Sequence, residues 1–159
     1  MKKIFPILIS ALVLSITGKA QKPIVTYGPM LHFNIEEGKF DPSIAFEVAL
    51  WYYDNRDIIP KSIDFGLEAA FKSDRFRVYS EVQSGMTIAG VSLGPVMEFG
   101  ASQPICFGVQ GSAWGNIFLG VDFRMRAMTN GVTSFAPGTY FKLIKDNRNN
   151  NSSLWKIGT

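Results

Sequence analysis

His32 is the chain's one histidine and the residue best suited to general acid–base work. As a base it needs an orienting carboxylate and a nucleophile within reach. Glu47, on the next predicted strand, is the carboxylate that could orient it, and Ser43 or Ser112 the nucleophile. No serine stands two residues from His32, so a packed or hydrogen-bonded histidine is the stronger reading. The carboxylates Asp64, Glu68, Glu81 and Glu98 come next. Neither histidine nor cysteine joins them at ligand spacing, which favours pairing with Arg77, Arg124 and Arg126 over metal binding. Cys106 is a lone cysteine and cannot form an internal disulfide. The glycines fit no phosphate-binding pattern, and no cofactor is expected. What remains is a charge network: Glu47, Asp64, Glu68, Arg77, Glu81, Glu98, Asp122, Arg124, Arg126 and Lys142.

These charges share a periodicity. Between Ile105 and Leu143, alternate residues fall into two faces. One holds Ile105, Phe107, Val109, then Ile117, Leu119, Val121, Phe123 and Met125, then Phe135, Pro137, Thr139, Phe141 and Leu143, with no charge at all. The other holds Gly108, Gln110, Ser112, Gly120, Asp122, Arg124, Arg126, Gly138, Tyr140 and Lys142. A period of two means β-strand. The same rhythm runs through Ile24–Ile35, Ser43–Tyr53, Ser62–Lys72, Arg75–Gln83 and Thr87–Phe99. The apolar set moves from odd to even positions across Ser73-Asp74 and back across Ser84-Gly85, as two-residue hairpins demand. These turns put Glu68 diagonal to Arg77, and the last hairpin brings Asp122 within reach of Lys142. Glu36–Pro42 reads as a loop, and Asn130-Gly131 as a longer loop or bulge. The expected fold is all-β: an antiparallel up-and-down meander of about eight strands, each of roughly ten residues, closed into a transmembrane β-barrel.

The 159 residues allow one domain. Lys2 and Lys3, the apolar run Ile4–Ile16 and Gly18-Lys19-Ala20 read as a secretory signal peptide over residues 1–20. The barrel is expected over 21–144, with a polar tail over 145–159. Removing Lys2, Lys3 and Lys19 from a formal charge of +3 leaves the mature chain near zero, with no electrostatic footprint for nucleic acid.

Which face is outside decides the environment. An interior enclosed by about eight strands is only just wide enough to be filled by side chains. It suits the small residues Gly28, Ala45, Ala49, Gly66, Gly90, Gly94, Gly108 and Gly138 better than the Phe, Leu and Ile of the other face. The near-balanced charges suit a paired lumen. Trp51, Tyr52, Tyr53, Phe71 and Phe99 sit near strand ends, where interfacial aromatics belong. In this architecture the chain resembles small outer-membrane β-barrels of the OmpA/OmpX type, across Ile24–Ile35, Ser43–Tyr53, Ser62–Lys72, Arg75–Gln83, Thr87–Phe99 and Ile105–Leu143. The resemblance implies a Gram-negative outer membrane as the location, the lipid bilayer and the barrel assembly machinery as partners, and a non-enzymatic envelope role, with the tail available to a protein partner. It also implies outer connections at Glu36–Pro42, Ser73–Asp74, Ala101–Pro104 and Met128–Thr133, all short. Two other readings compete: a soluble periplasmic or secreted barrel with an apolar ligand inside, and an outer-membrane lipid-modifying hydrolase working through His32.

Overall fold

A computed structural model of the chain describes residues 23–52, 61–86, 88–100, 103–116 and 119–146. The expected signal segment, nearly all of the tail, the 53–60 connection with Tyr53, and Thr87, Ala101, Ser102, Ile117 and Phe118 lie outside the described residues. Alternation of apolar and polar side chains runs unbroken through nearly every described segment, and each folds as strand. The strands are β1 (Ile24–Glu36), β2 (Lys39–Tyr52), β3 (Lys61–Ala70), β4 (Arg75–Met86), β5 (Ala89–Gly100), β6 (Gln103–Gly115), β7 (Leu119–Met128), β8 (Thr133–Phe141) and β9 (Leu143–Asp146).

Each strand pairs antiparallel with the next, and β8 and β9 both return to β1, so the sheet closes. Met30 faces Tyr140 and Tyr27 faces Leu143 at one common offset. β8 and β9 are therefore one strand interrupted at Lys142, and the barrel has eight strands. Following the register around the wall from Val25, the partners are Leu50, Ile63, Val82, Leu93, Gly111, Met125, Phe135 and finally Ile35. The circuit returns ten residues along β1. With about 3.3 Å per residue and 4.8 Å between strands, this stagger tilts the strands by about 40° and gives a backbone radius of about 8 Å.

The interruption at Lys142 has a covalent cause. The common offset places Pro29 opposite Phe141, and pairing skips Gly28 and Pro29. Proline has no N–H to give the Phe141 carbonyl. Pairing lapses again where Pro137 stands opposite Phe33, and where Pro95 stands opposite Ser80. Gly28 and Gly94, each just before its proline, let the neighbouring strand lean in: a Cβ there would lie 1.9 Å from the Phe141 carbonyl oxygen and 1.8 Å from that of Ser80.

The turns differ in place from the sequence reading. Glu36–Pro42 is no loop: Glu36 pairs with Lys39, and Glu37 and Gly38 both take positive φ (49° and 76°), the two-residue geometry that matches strand twist. Phe33 stacks on Phe40 at 5.7 Å across this hairpin and carries the apolar face through it. The next turn centres on Lys72-Ser73, with Asp74 at φ 49°, so Glu68 faces Arg77 directly rather than diagonally. β4 runs past Ser84-Gly85 to Met86, which pairs with Ala89. Both moves keep the odd partner sum, so the face assignment survives.

The faces are inverted relative to a soluble protein. Among the described residues, 26 large apolar side chains are exposed, nearly all of them on the outer wall, whereas 21 polar or charged residues are buried. Trp51 points inward, contrary to its expected place in an outer girdle, and meets Trp114 edge to face at 5.9 Å. With Met30, Ala45, Ala49 and Tyr140 they fill the end of the lumen where the described chain starts and stops.

Candidate functional site

Strand alternation sends every second residue into the lumen, and the barrel's small radius forces those side chains into contact. All ten residues of the expected charge network are buried there. Glu68 on β3 is the hub. Its Oε1 accepts from Arg77 Nη1 (2.7 Å) and Ser43 (2.9 Å), and its Oε2 from Arg126 Nη2 (2.5 Å). Asn34 donates to it as well, at 3.2 Å. Arg77 Nε also donates to Glu98 at 2.6 Å, and Arg75 ties Glu98 (3.1 Å) to Glu36 (2.8 Å) at the rim. Arg126 extends the cluster to Asn34 (2.6 Å) and Gln110 (2.5 Å).

Glu47 on β2 anchors a second cluster. It accepts from Lys142 Nζ (2.5 Å), Arg124 Nη2 (2.7 Å) and the Tyr79 hydroxyl (3.0 Å). The Arg124 guanidinium lies over the Tyr79 ring, 4.5 Å from its centroid. A Cβ on Gly66 would overlap the Tyr79 ring at 2.0 Å, so the glycine makes the space for that stack. Arg124 Nε reaches Asp122 Oδ2 at 2.7 Å, and His32 Nε2 lies 3.0 Å from the same oxygen. Gly138 leaves room for this contact, since a Cβ there would sit 2.2 Å from His32 Cδ2.

Asp64 and Glu81 face each other across β3 and β4 and are held by neutral donors. Ser62 donates to Asp64 at 2.8 Å; Ser92 and Gln110 donate to Glu81 at 2.9 and 3.0 Å. Gln83, with its amide turned to suit both neighbours, donates to Asp64 and accepts from Trp114 Nε1.

Three sequence expectations are corrected. Asp122 pairs with Arg124 and His32, and Lys142 crosses to Glu47, because β1 lies between β8 and β2 and leaves Lys142 free to reach over it. Glu47 is not the partner of His32; the carboxylates beside its ring are Asp122 and, at 3.7 Å, Glu68. The candidate nucleophiles are engaged elsewhere: the Ser43 hydroxyl donates to Glu68 and accepts from Asn34 (2.8 Å), and Ser112 shares a short hydrogen bond with Ser92. Sequence reading passed over Asn34, Arg75, Tyr79 and Gln110 as network members. Their parity with His32, Arg77 and Gly108 was the available signal.

No protein-family model matches the chain, and a comparison with curated proteins finds no match. Among solved structures, the chain aligns with one from work on the de novo design of transmembrane β-barrels. The two share 11% identity at a TM-score of 0.46, over 79% of this chain and 98% of the other.

Proposed function

We propose that this chain is an integral outer-membrane β-barrel of the OmpA/OmpX kind, delivered by a cleaved signal peptide, with a structural or partner-docking role rather than an enzymatic one. One observation carries the reading: the closed barrel exposes its apolar face and buries its charged one. In water the outer wall would be an apolar surface far larger than soluble monomers carry; in a bilayer it is the required surface. A ten-residue strand at about 40° tilt rises about 25 Å, the height of the apolar band of such barrels. Closure leaves no unpaired sheet edge in lipid. A soluble carrier of an apolar ligand would need the opposite wall inside. The non-enzymatic part is supported by Ser43 and Ser112, whose hydroxyls bond away from His32.

The test is gel mobility in SDS of the envelope-extracted protein, boiled against unboiled. The reading expects a heat-dependent shift and a need for detergent. Protein free in the osmotic-shock fluid, with no shift on boiling, overturns it.

A further inference from the structure

Among the network carboxylates, Glu47 rests on Arg124 and Lys142, Glu68 on Arg77 and Arg126, Glu98 on Arg75 and Arg77, and Asp122 on Arg124. Asp64 and Glu81 differ. They stand directly opposite each other on β3 and β4, 0% and 2% exposed. Among the described residues, the side chains that donate to them are all neutral: Ser62, Gln83, Ser92 and Gln110.

The charged groups around the pair do not compensate it. Glu47 on β2 and Lys142 beside β8 act on Asp64, and Arg124 on β7 acts on Glu81. Arg124 and Lys142 are both bonded to Glu47, and Arg124 also to Asp122. Those two positive and two negative charges cancel. His32 on β1 lies against Asp122 and Glu68, and Tyr79 on β4 is a phenol. From β5 and β6 the pair meets Ser92 and Gln110. Two like charges opposite each other destabilise a ladder, and two buried carboxylates that share a site do not both ionise.

The hydrogen bonds leave a place for one proton. Trp114 Nε1, which can only donate, occupies the Gln83 oxygen, so the Gln83 nitrogen faces Asp64. Arg126 occupies the Gln110 oxygen in the same way, so the Gln110 nitrogen faces Glu81 Oε1. Those two carboxylate oxygens can only accept. Glu81 Oε2 instead meets the Ser92 hydroxyl at 2.9 Å, and a hydroxyl donates or accepts by rotation. Ser92 also shares a short hydrogen bond with Ser112, in which either hydroxyl can donate. A proton on Glu81 Oε2 therefore donates to Ser92, and Ser92 donates to Ser112.

We propose that Glu81 is held protonated opposite an ionised Asp64 at neutral pH, as a pH-sensitive latch between β3 and β4. Raising the pH drives the proton into solution and sets two negative charges face to face, which loosens the barrel from inside. The latch rests on lumen geometry and stands apart from the bilayer reading.

The experiment compares the full-length protein with Glu81→Gln, both folded in an ester-free detergent. The variant keeps the pattern: its amide nitrogen donates to Ser92 and its oxygen accepts from Gln110. The infrared spectrum of the intact protein at neutral pH is expected to show the carbonyl stretch of a protonated carboxyl. That band is expected to vanish in Glu81→Gln. No band in the intact protein, or one that persists in the variant, overturns the latch. Unfolding gives an independent reading. At neutral pH the unfolded chain carries Glu81 ionised, so folding takes up a proton and stability falls as pH rises. The folded-to-unfolded ratio is expected to fall up to tenfold more per pH unit in the intact protein than in the variant. His32 is common to both and cancels. Equal pH dependence overturns the latch. So does stability that rises with sodium concentration at fixed pH in the intact protein alone, which would mean a bound cation.

Discussion

At the residue scale, Glu68 shows what a filled lumen demands of one side chain. It satisfies two guanidiniums, Arg77 and Arg126, and both of those are themselves buried. Removing it leaves Arg126 with no carboxylate, held only by Asn34 and Gln110, and leaves Arg77 to Glu98, in a space with no solvent to take the charge. Breaking a buried pair from one side typically costs about 3–5 kcal/mol, so Glu68→Ala is expected to lose about that much, read from urea unfolding of the folded protein in lipid vesicles. Glu36 makes the matched comparison. It contacts Arg75 and Arg77, both on β4, at the rim, and is 16% exposed. Glu36→Ala is expected to cost about 1 kcal/mol or less, as exposed pairs do. Equal losses at the two positions would mean that the lumen is wetter than the packing implies. The face on which each of these residues lies was legible from parity alone. The partners were not, because Arg126 meets Glu68 across the lumen from β7 to β3, and no local spacing encodes that meeting.

At the element scale, three prolines and their neighbours decide where the wall is loose. Pro29 and Pro137 both fall on the seam where β1 meets β8 and β9, and Pro95 falls on the β4–β5 seam directly across the ring. These two seams divide the barrel into two four-strand halves, and ion pairs such as Arg124–Glu47 and Arg126–Glu68 tie the halves together from inside. Pro95→Val restores an N–H opposite the Ser80 carbonyl and keeps an apolar side chain on the outer wall. The new bond is worth about 0.5–1.5 kcal/mol. Freeing the unfolded chain gives back about 0.4–1 kcal/mol, so the diagnostic is local rather than global. Hydrogen exchange at Ser80–Val82 is expected to slow, and unchanged exchange would show that the proline is not what breaks the ladder. Leu93, near the middle of the same strand and 63% exposed, tests the outer wall instead. On the proposed bilayer placement, Leu93→Arg is expected to cost about 2–4 kcal/mol in vesicle unfolding; a neutral result would deny that this wall touches lipid. The strands were legible because every one keeps its alternation. Turn positions were misplaced by up to three residues at Ser84-Gly85, since Gly85 pairs with Gly90 inside the ladder and marks close packing rather than a turn.

At the scale of the whole molecule, the stagger of ten residues is the quantity the sequence withheld. It is the sum of every hairpin's register plus the closing register of β1 on β8, so a reading of single turns cannot supply it. It also fixes what the barrel can transmit. A backbone radius of about 8 Å is little more than the reach of one long side chain, so residues on opposite walls touch. β3 and β7 stand four places apart in a ring of eight, at opposite ends of a diameter, yet Arg126 and Glu68 meet at 2.5 Å. Arg77, His32 and Gln110 are buried beside that beam, and Arg124 crosses to Glu47 next to it. An ion entering the lumen would have to break pairs that have no solvent to replace them. In planar bilayers the intact protein is therefore expected to show no discrete conductance steps. Replacing both ends of the beam, Glu68→Ala with Arg126→Ala, removes the diametral contact while keeping the charges balanced. That variant is expected to flicker open where the intact protein stays silent. Steady steps from the unaltered protein would show that the network is a lining rather than a plug.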